Sequence, residues 1–355
     1  MLILGIETSA DDTAIAVVKV ENDVPVVLSS VISSQIATHT PYGGIVPNLA
    51  AREHEKNLPV VLNSALVASG YALSDLDLIA VTSGPGLIMS LVRGVNFAKE
   101  LAQKNNKPII GVNHIAGHIY SNWLSSDATR DTLRVTPLFP ALCLIVSGGH
   151  TELVLMHDHG KYELVGRTVD DAAGEAFDKI GRLLGLEYPG GPAISREADK
   201  FQITNYKLPI ILPRPMLHSK DFNFSFSGLK TAVYYLVRDL KKEKPLTDEI
   251  VTEIAHETQE AIVDVLISKT KKAIEKFQPK SVLLAGGVSA NKLLRQRLQE
   301  MASTLAPSPR TLVPALEYTQ DNGTMIAVAG YYQRKFQNPN DKLQMVEADA
   351  NWEIA

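Results

Sequence analysis

Two strand–turn–strand units about 140 residues apart set the tightest limit on how this chain can fold. The first runs from Leu2-Ile3-Leu4-Gly5-Ile6 through Glu7-Thr8-Ser9-Ala10-Asp11-Asp12-Thr13 into Ala14-Ile15-Ala16-Val17-Val18. The second runs from Ala141-Leu142-Cys143-Leu144-Ile145-Val146 through Ser147-Gly148-Gly149-His150-Thr151 into Glu152-Leu153-Val154-Leu155-Met156. Ser, Thr, Asp and Gly bend the backbone in both turns and leave N–H groups exposed. Ser-Gly-Gly also permits close backbone approach and positive φ. Each turn is either a plain hairpin loop or a cradle for a phosphate. The residues differ between the copies; the repeated feature is strand, small polar turn, strand. A chain of 355 residues has room for two such lobes, each with its own core.

The connections read as α/β. Leu78-Ile79-Ala80-Val81-Thr82 is a buried strand, Ser83-Gly84-Pro85-Gly86 a turn, and 87–104 a helix. Ser281-Val282-Leu283-Leu284-Ala285, Gly286-Gly287 and a helix over 292–303 repeat that order. A helix start presents free N–H groups to anions, although strand, glycine turn and helix is also an ordinary structural connection. Further helices are expected at 49–68, within 168–186 with Gly185 as its end, from Ser227 as N-cap, at 248–277, and through about Lys335 at the last. Ser125 to Arg134 reads as a polar loop, and the tail after Phe336 carries no signal.

His114 and His118 are four residues apart, so on a helix they share a face and their rings can share one metal ion. Asp321, isolated near the last helix, is either that helix's N-cap or a third ligand. Asp178 either faces a site or pairs with Arg182 at i+4. Arg52 and His54 lie either on a solvated helix face or turned inward toward the site.

Composition excludes several classes. The net charge is −4, so the whole chain does not attract a polyanion; a nucleic acid would need a local basic patch or a second protein. A single cysteine, Cys143, leaves no intrachain disulfide and no CxxC, which suits a reducing compartment. No charged segment precedes the first apolar run, and no apolar stretch reaches the roughly 18 residues that span a membrane. The expected location is the cytoplasm, with no membrane partner.

Nine stretches, taken in order, carry a resemblance: Gly5-Ile6-Glu7-Thr8-Ser9, Gly84-Pro85-Gly86-Leu87, His114-Ile115-Ala116-Gly117-His118, Val146-Ser147-Gly148-Gly149-His150-Thr151, Gly174-Glu175-Ala176-Phe177-Asp178-Lys179, Tyr188-Pro189-Gly190-Gly191-Pro192, Phe226-Ser227-Gly228-Leu229-Lys230-Thr231, Gly286-Gly287-Val288-Ser289-Ala290-Asn291, and Asp321-Asn322. With them the chain resembles the TsaD family, which makes threonylcarbamoyladenosine in transfer RNA and includes the KEOPS catalytic subunit and mitochondrial homologues. The match is nearest to the bacterial form. The resemblance implies the two-lobed fold of actin, Hsp70 and sugar kinases, with a nucleotide cleft. Its lobes would be 1–112 with 323–355, and 113–322. It implies His114, His118 and Asp321 as ligands of one divalent ion, Fe²⁺ or Zn²⁺, with Mg²⁺ possible beside a nucleotide. Substrate contacts would fall on Ile145, Val146, Ser147, Gly148, Gly149, Asp178, Gly191, Ser195 and Asn291. Ser9, Asp11 and Asp12 are further candidates for catalysis, with no protein nucleophile assigned. Ser195 stands where the family frequently has Asp, and Met89 and Arg93 depart from the usual pattern on a helix that can meet a partner.

The implied reaction is acyl transfer from threonylcarbamoyl-AMP to the exocyclic amine of the adenosine 3′ of the anticodon, in transfer RNAs reading A-starting codons. TsaB-like and TsaE-like proteins are the implied partners. The donor arrives activated, so positioning and charge neutralisation suffice. A metallopeptidase would need H-E-x-x-H, and Ile115 occupies the glutamate position. An actin-like kinase or ATPase is the alternative; Glu7, Asp11 and Asp12 would then hold Mg²⁺.

Overall fold

The computed structural model describes residues 1–124, 136–201, 210–243, 245–336 and 346–355. The polar loop expected at 125–134 lies outside them. The chain divides into two compact units. Unit 1 comprises 1–136, 156–162 and 314–355; unit 2 comprises 137–155 and 163–313.

Unit 1 is built on β1 (Leu2–Glu7), β2 (Asp12–Glu21), β3 (Val24–Ser34), β4 (Leu78–Gly84) and β5 (Ile109–Asn113). Its helices are α1 (Ile36–His39), α2 (Pro47–Ser69), α3 (Ile88–Asn105) and α4 (His114–Tyr120). The strand order is β3-β2-β1-β4-β5. β1 pairs antiparallel with β2, Gly5 opposite Ala16, and parallel with β4, Gly5 opposite Ala80. β1 and β4 are buried along their whole length, as expected of strands covered on both faces.

Unit 2 repeats that order. β6 (Ala141–Val146), β7 (Thr151–Asp158), β8 (Lys161–Arg167), α5 (Ala173–Leu184), α6 (Gly190–Ala198), α7 (Ser227–Glu243), α8 (Asp248–Phe277), β9 (Ser281–Ala285), α9 (Lys292–Ser303) and β10 (Arg310–Leu312) follow in sequence. The sheet runs β10-β9-β6-β7-β8, which read from the other edge is the topology of the first sheet. Both expected hairpins are therefore the opening strands of equivalent sheets. α10 (Gly323–Phe336) returns the chain to unit 1.

The expected helices form within a residue or two of their sequence limits, except that the one sought within 168–186 starts only at Ala173. Gly185 ends it, at φ +77. In the division into compact units, 113–124 and 314–322 group with unit 1, where α4 leaves directly from the end of β5. α10 lies directly on β1: a Cβ on Gly5 would stand 2.0 Å from the Gly323 carbonyl oxygen. Only glycine at position 5 lets the two backbones approach this closely. Among the described residues no helix is long and apolar enough to cross a membrane.

Candidate metal centre

α4 begins where β5 ends. Asn113 terminates the strand and caps the helix, its Oδ1 accepting the N–H groups of Ile115 at 2.9 Å and Ala116 at 3.2 Å. The cap fixes where the first turn starts and so where the histidines point. Both rings are buried, with centroids 4.6 Å apart at 77°. Asp321 meets them from the loop before α10. Its Oδ1 lies 3.6 Å from His114 Nε2 and 3.3 Å from His118 Nε2. One ligand atom from each of the three residues falls within 4.8 Å of the others.

Asp321 is not the cap of α10. That role belongs to Asn322, whose Oδ1 accepts the Met325 N–H at 2.9 Å. The neighbouring cap leaves the Asp321 carboxylate turned toward the histidines.

Glu7, at the end of β1, is the residue whose place here the sequence reading missed. It is fully buried. Its Oε2 accepts from Thr82 Oγ1 at 2.6 Å and faces His114 Nδ1 at 3.0 Å, while the Ser9 N–H donates to Oε1. Ser9 Oγ also lies 3.1 Å from His114 Nδ1. A carboxylate only accepts, so Nδ1 carries the hydrogen and Nε2 is left to a cation. A charge-bearing residue closing an otherwise apolar strand was the available signal.

The electrostatics follow. Burial by itself would push the Glu7 carboxyl up, but the charge and hydrogen bond of His114 hold it below the usual range. Burial would lower His114, yet the charges of Glu7 and Asp321 raise it to about 9. Asp11 and Asp12 rise to about 6 and about 7, first through burial and then through the neighbouring Asp321 charge, Asp12 against an opposing hydrogen bond from Ser34. His54 on α2 is buried and fastens this turn: Nε2 lies 3.0 Å from Ala10 O and Nδ1 2.7 Å from Thr13 Oγ1. Arg52 is exposed.

The donor set fits a metal ion. Neither buried ring nitrogen of His118 makes a hydrogen bond, which is costly for a polar group unless something else satisfies it. Two imidazoles and a carboxylate suit zinc or ferrous iron.

The remaining expected residues lie in unit 2. Ile145 and Val146 are buried at the end of β6. The turn after them is closed by the Ser147 N–H donating to His150 O at 2.8 Å. Gly148 and Gly149 are exposed, and a Cβ on either would meet nothing within 4 Å. Neither has positive φ, so the turn does not use the expected left-handed freedom. Asp178 Oδ1 accepts the Gly190 N–H at 2.7 Å, tying α5 to the start of α6, where Gly191 sits. Asn291 caps α9 through Oδ1, and its Nδ2 donates to Gln259 Oε1 at 2.8 Å and Ser195 Oγ at 3.0 Å. Gln259, from the middle of α8, was not anticipated.

Comparison with known proteins agrees with this architecture. Residues 26–328 match the family model TsaD, tRNA N6-adenosine threonylcarbamoyltransferase. A protein of that name from Thermosipho melanesiensis is 48% identical over 331 residues, covering 93% of this chain and 94% of the relative. Its namesake in Bacillus subtilis is 45% identical over 331 residues, covering 93% and 90%. The one in Nitrosospira multiformis is 44% identical over 355 residues, covering 100% and 97%. Among solved structures, HypF of T. kodakarensis superposes with a TM-score of 0.57 over 94% of this chain and 48% of its own, at 14% identity. That likeness concerns the fold.

Proposed function

The chain belongs to the TsaD family of tRNA N6-adenosine threonylcarbamoyltransferases, and from that premise we propose that it moves a threonylcarbamoyl group from threonylcarbamoyl-AMP to the exocyclic amine of the adenosine 3′ of the anticodon, in the cytoplasm. The observation that carries the reading is the convergence of His114, His118 and Asp321 within 4.8 Å inside a chain of this family.

In the reaction the amine nitrogen bonds to the carbamoyl carbon, the bond from that carbon to the phosphate oxygen breaks, and AMP leaves with the electron pair. The amine's proton passes to solvent or to a nearby base. A divalent ion, when bound, supplies a Lewis acid that polarises or orients the donor. His114 and His118 through Nε2, and Asp321 through Oδ1, would hold it. Glu7 keeps His114 in the required tautomer. In the Ser147-Gly148-Gly149 turn the exposed Gly148 and Gly149 offer N–H groups to the phosphate of the donor, while the Ser147 N–H is held by His150. Asn291 and Ser195, linked through Gln259, supply hydrogen bonds suited to a nucleoside.

Transfer RNA needs a basic surface that the chain's net charge of −4 does not supply overall. α7 offers one. Tyr234 and Tyr235 are half exposed, the Arg238 guanidinium stands 4.7 Å from the Tyr235 ring centre, and Lys241 and Lys242 follow in solvent. Cations interleaved with aromatic faces suit phosphates and unstacked bases. TsaB-like and TsaE-like proteins would complete the assembly.

An actin-like kinase is the weaker reading. Glu7 is already engaged by Thr82, the Ser9 amide and His114, and is not available to Mg²⁺. The direct test incubates the chain with ATP, threonine, bicarbonate, the adenylate-forming enzyme and transfer RNA, with and without partners, then digests the RNA to nucleosides. Threonylcarbamoyladenosine that depends on the chain supports the proposal. Its absence with all partners present refutes it; undiminished transfer by a metal-free His114→Ala variant would refute the metal's role and leave the transferase reading standing.

A further inference from the structure

Asn113 holds α4 at one end and the C-terminal tail at the other. Its Oδ1 caps the helix, and its Nδ2 donates to the Trp352 carbonyl at 3.1 Å across 239 residues of sequence. The tail reaches that point along the turn after β4. The Asp349 N–H donates to Ser83 O at 2.7 Å, and the Gly86 N–H to Ala350 O at 3.3 Å. Gly84, at φ +153, is shaped to this tail: a Cβ there would stand 1.8 Å from the Asp349 carbonyl oxygen. The same turn touches the other side of the site. The Leu87 N–H donates to Ser9 O at 2.8 Å, a Cβ on Gly86 would lie 2.6 Å from that oxygen, and Ser9 Oγ lies 3.1 Å from His114 Nδ1.

Two routes therefore run from the tail to His114. One passes through Asn113 to the first turn of α4, the other through 84–87 to Ser9. A helix cap alone needs only the Oδ1 of Asn113, and serine or aspartate would serve as well. The Nδ2 contact is an additional specification that asparagine meets and those residues do not.

We propose that Asn113 is a positioning residue for the metal centre, and that 349–352 is a strap which, acting through it, sets the direction of the His114 and His118 rings. Ligand rings are aimed by the hydrogen bonds behind them, and loss of such support typically weakens metal binding by about ten- to a hundredfold. The strap acts at a distance: none of 349–352 belongs to the ligand set. The inference rests on the metal-binding reading given above.

Zn²⁺ affinity, measured by competition with a chromophoric chelator, tests it. Four proteins are compared: the parent chain, Asn113→Ser, a chain lacking 349–355, and the combination. Serine keeps the cap and drops the reach to Trp352, so the helix itself is preserved. Asn113→Ser is expected to weaken Zn²⁺ binding about tenfold, the shortened chain at least as much because it also loses the contacts to Ser83 and Gly86, and the combination no more than the shortened chain, since the Asn113 link is already cut there. Thermal midpoints taken alongside separate aim from folding. A purely structural tail would lower the midpoint and leave the Zn²⁺ affinity of the folded protein unchanged, which would overturn the proposal. Additive losses would overturn it too. If the shortened chain does not fold, Asn113→Ser decides alone. A parent chain that binds no Zn²⁺ removes the metal reading itself; a parent that binds it beside an Asn113→Ser variant of equal affinity removes only the strap.

Discussion

Glu7 Oε2 and His114 Nδ1 face each other at 3.0 Å in the interior of unit 1, with the carboxylate wholly buried and 107 residues separating the two in sequence. A buried carboxylate is tolerated only when its acceptors are filled, and here a serine amide, a threonine hydroxyl and an imidazole fill them. The pair fixes both the tautomer and the tilt of the ring that Asp321 approaches from the other side.

Glu7→Gln should keep the shape and lose the charge. Zn²⁺ binding is expected to weaken about ten- to a hundredfold. The chain should remain folded by circular dichroism, because the amide still reaches Thr82 and Ser9. Unchanged Zn²⁺ affinity would show that the carboxylate only fills space.

Protons compete with the metal for His114. In the metal-free protein the ring stays protonated up to about pH 9, so each ion bound below that pH must displace one proton. Apparent Zn²⁺ affinity should rise about tenfold per pH unit between pH 7 and 9 and level off above, as read by titrations in matched buffers. The folding linkage has the opposite sign. The folded-state value lies above the ordinary 6.5, so the stabilisation is fully present below pH 6.5 and is lost as pH rises through about 9. The metal-free chain should therefore melt at a lower temperature at pH 9.5 than at pH 6.5.

Gly5→Ala should be among the most damaging small substitutions. The added methyl would meet the Gly323 carbonyl oxygen at 2.0 Å and the Ala327 nitrogen at 2.7 Å, both rigid backbone. A loss of about 3 kcal/mol in denaturant unfolding is expected. It should come with weaker Zn²⁺ binding, because α10 cannot withdraw without carrying Asp321 away.

Asn291→Ala removes the α9 cap and both hydrogen bonds to Gln259 and Ser195. Stability should fall by about 1 kcal/mol from the cap alone. AMP affinity, read by calorimetry, should fall as well; AMP binding equal to the parent's would detach this group from the nucleotide.

Arg238→Ala with Lys242→Ala tests the α7 surface. Binding of transfer RNA should weaken, and the slope of log affinity against log salt should drop by about two, one for each lost phosphate contact. An unchanged slope would place the RNA elsewhere.

Much of the fold was legible because its signals are local. Apolar runs bounded by Gly and Ser turns set the strands, and Gly185 set the end of α5; the expected cap Ser227 is instead the first residue of α7, its hydroxyl donating to Asp170. The duplicated hairpins announced two equivalent sheets, and the i,i+4 spacing put both histidines on one face of α4. The segment 349–352 was silent because its backbone N–H and C=O groups make its contacts to Ser83, Gly86 and Asn113, and those groups are the same in every sequence.

Local chemistry alone thus determined which segments become strands and helices, that the pattern occurs twice, and which imidazoles can act as a pair. Tertiary structure decided what each polar group meets. It chose Asn322 over Asp321 as the cap of α10, delivered Asp321 to the histidines, set Glu7 behind His114, and drew Trp352 to Asn113. The physical reason is range. Turn and helix preferences act between neighbours in sequence, whereas a buried charge finds its partner only after the chain has closed, among groups that nothing in the linear order brings together.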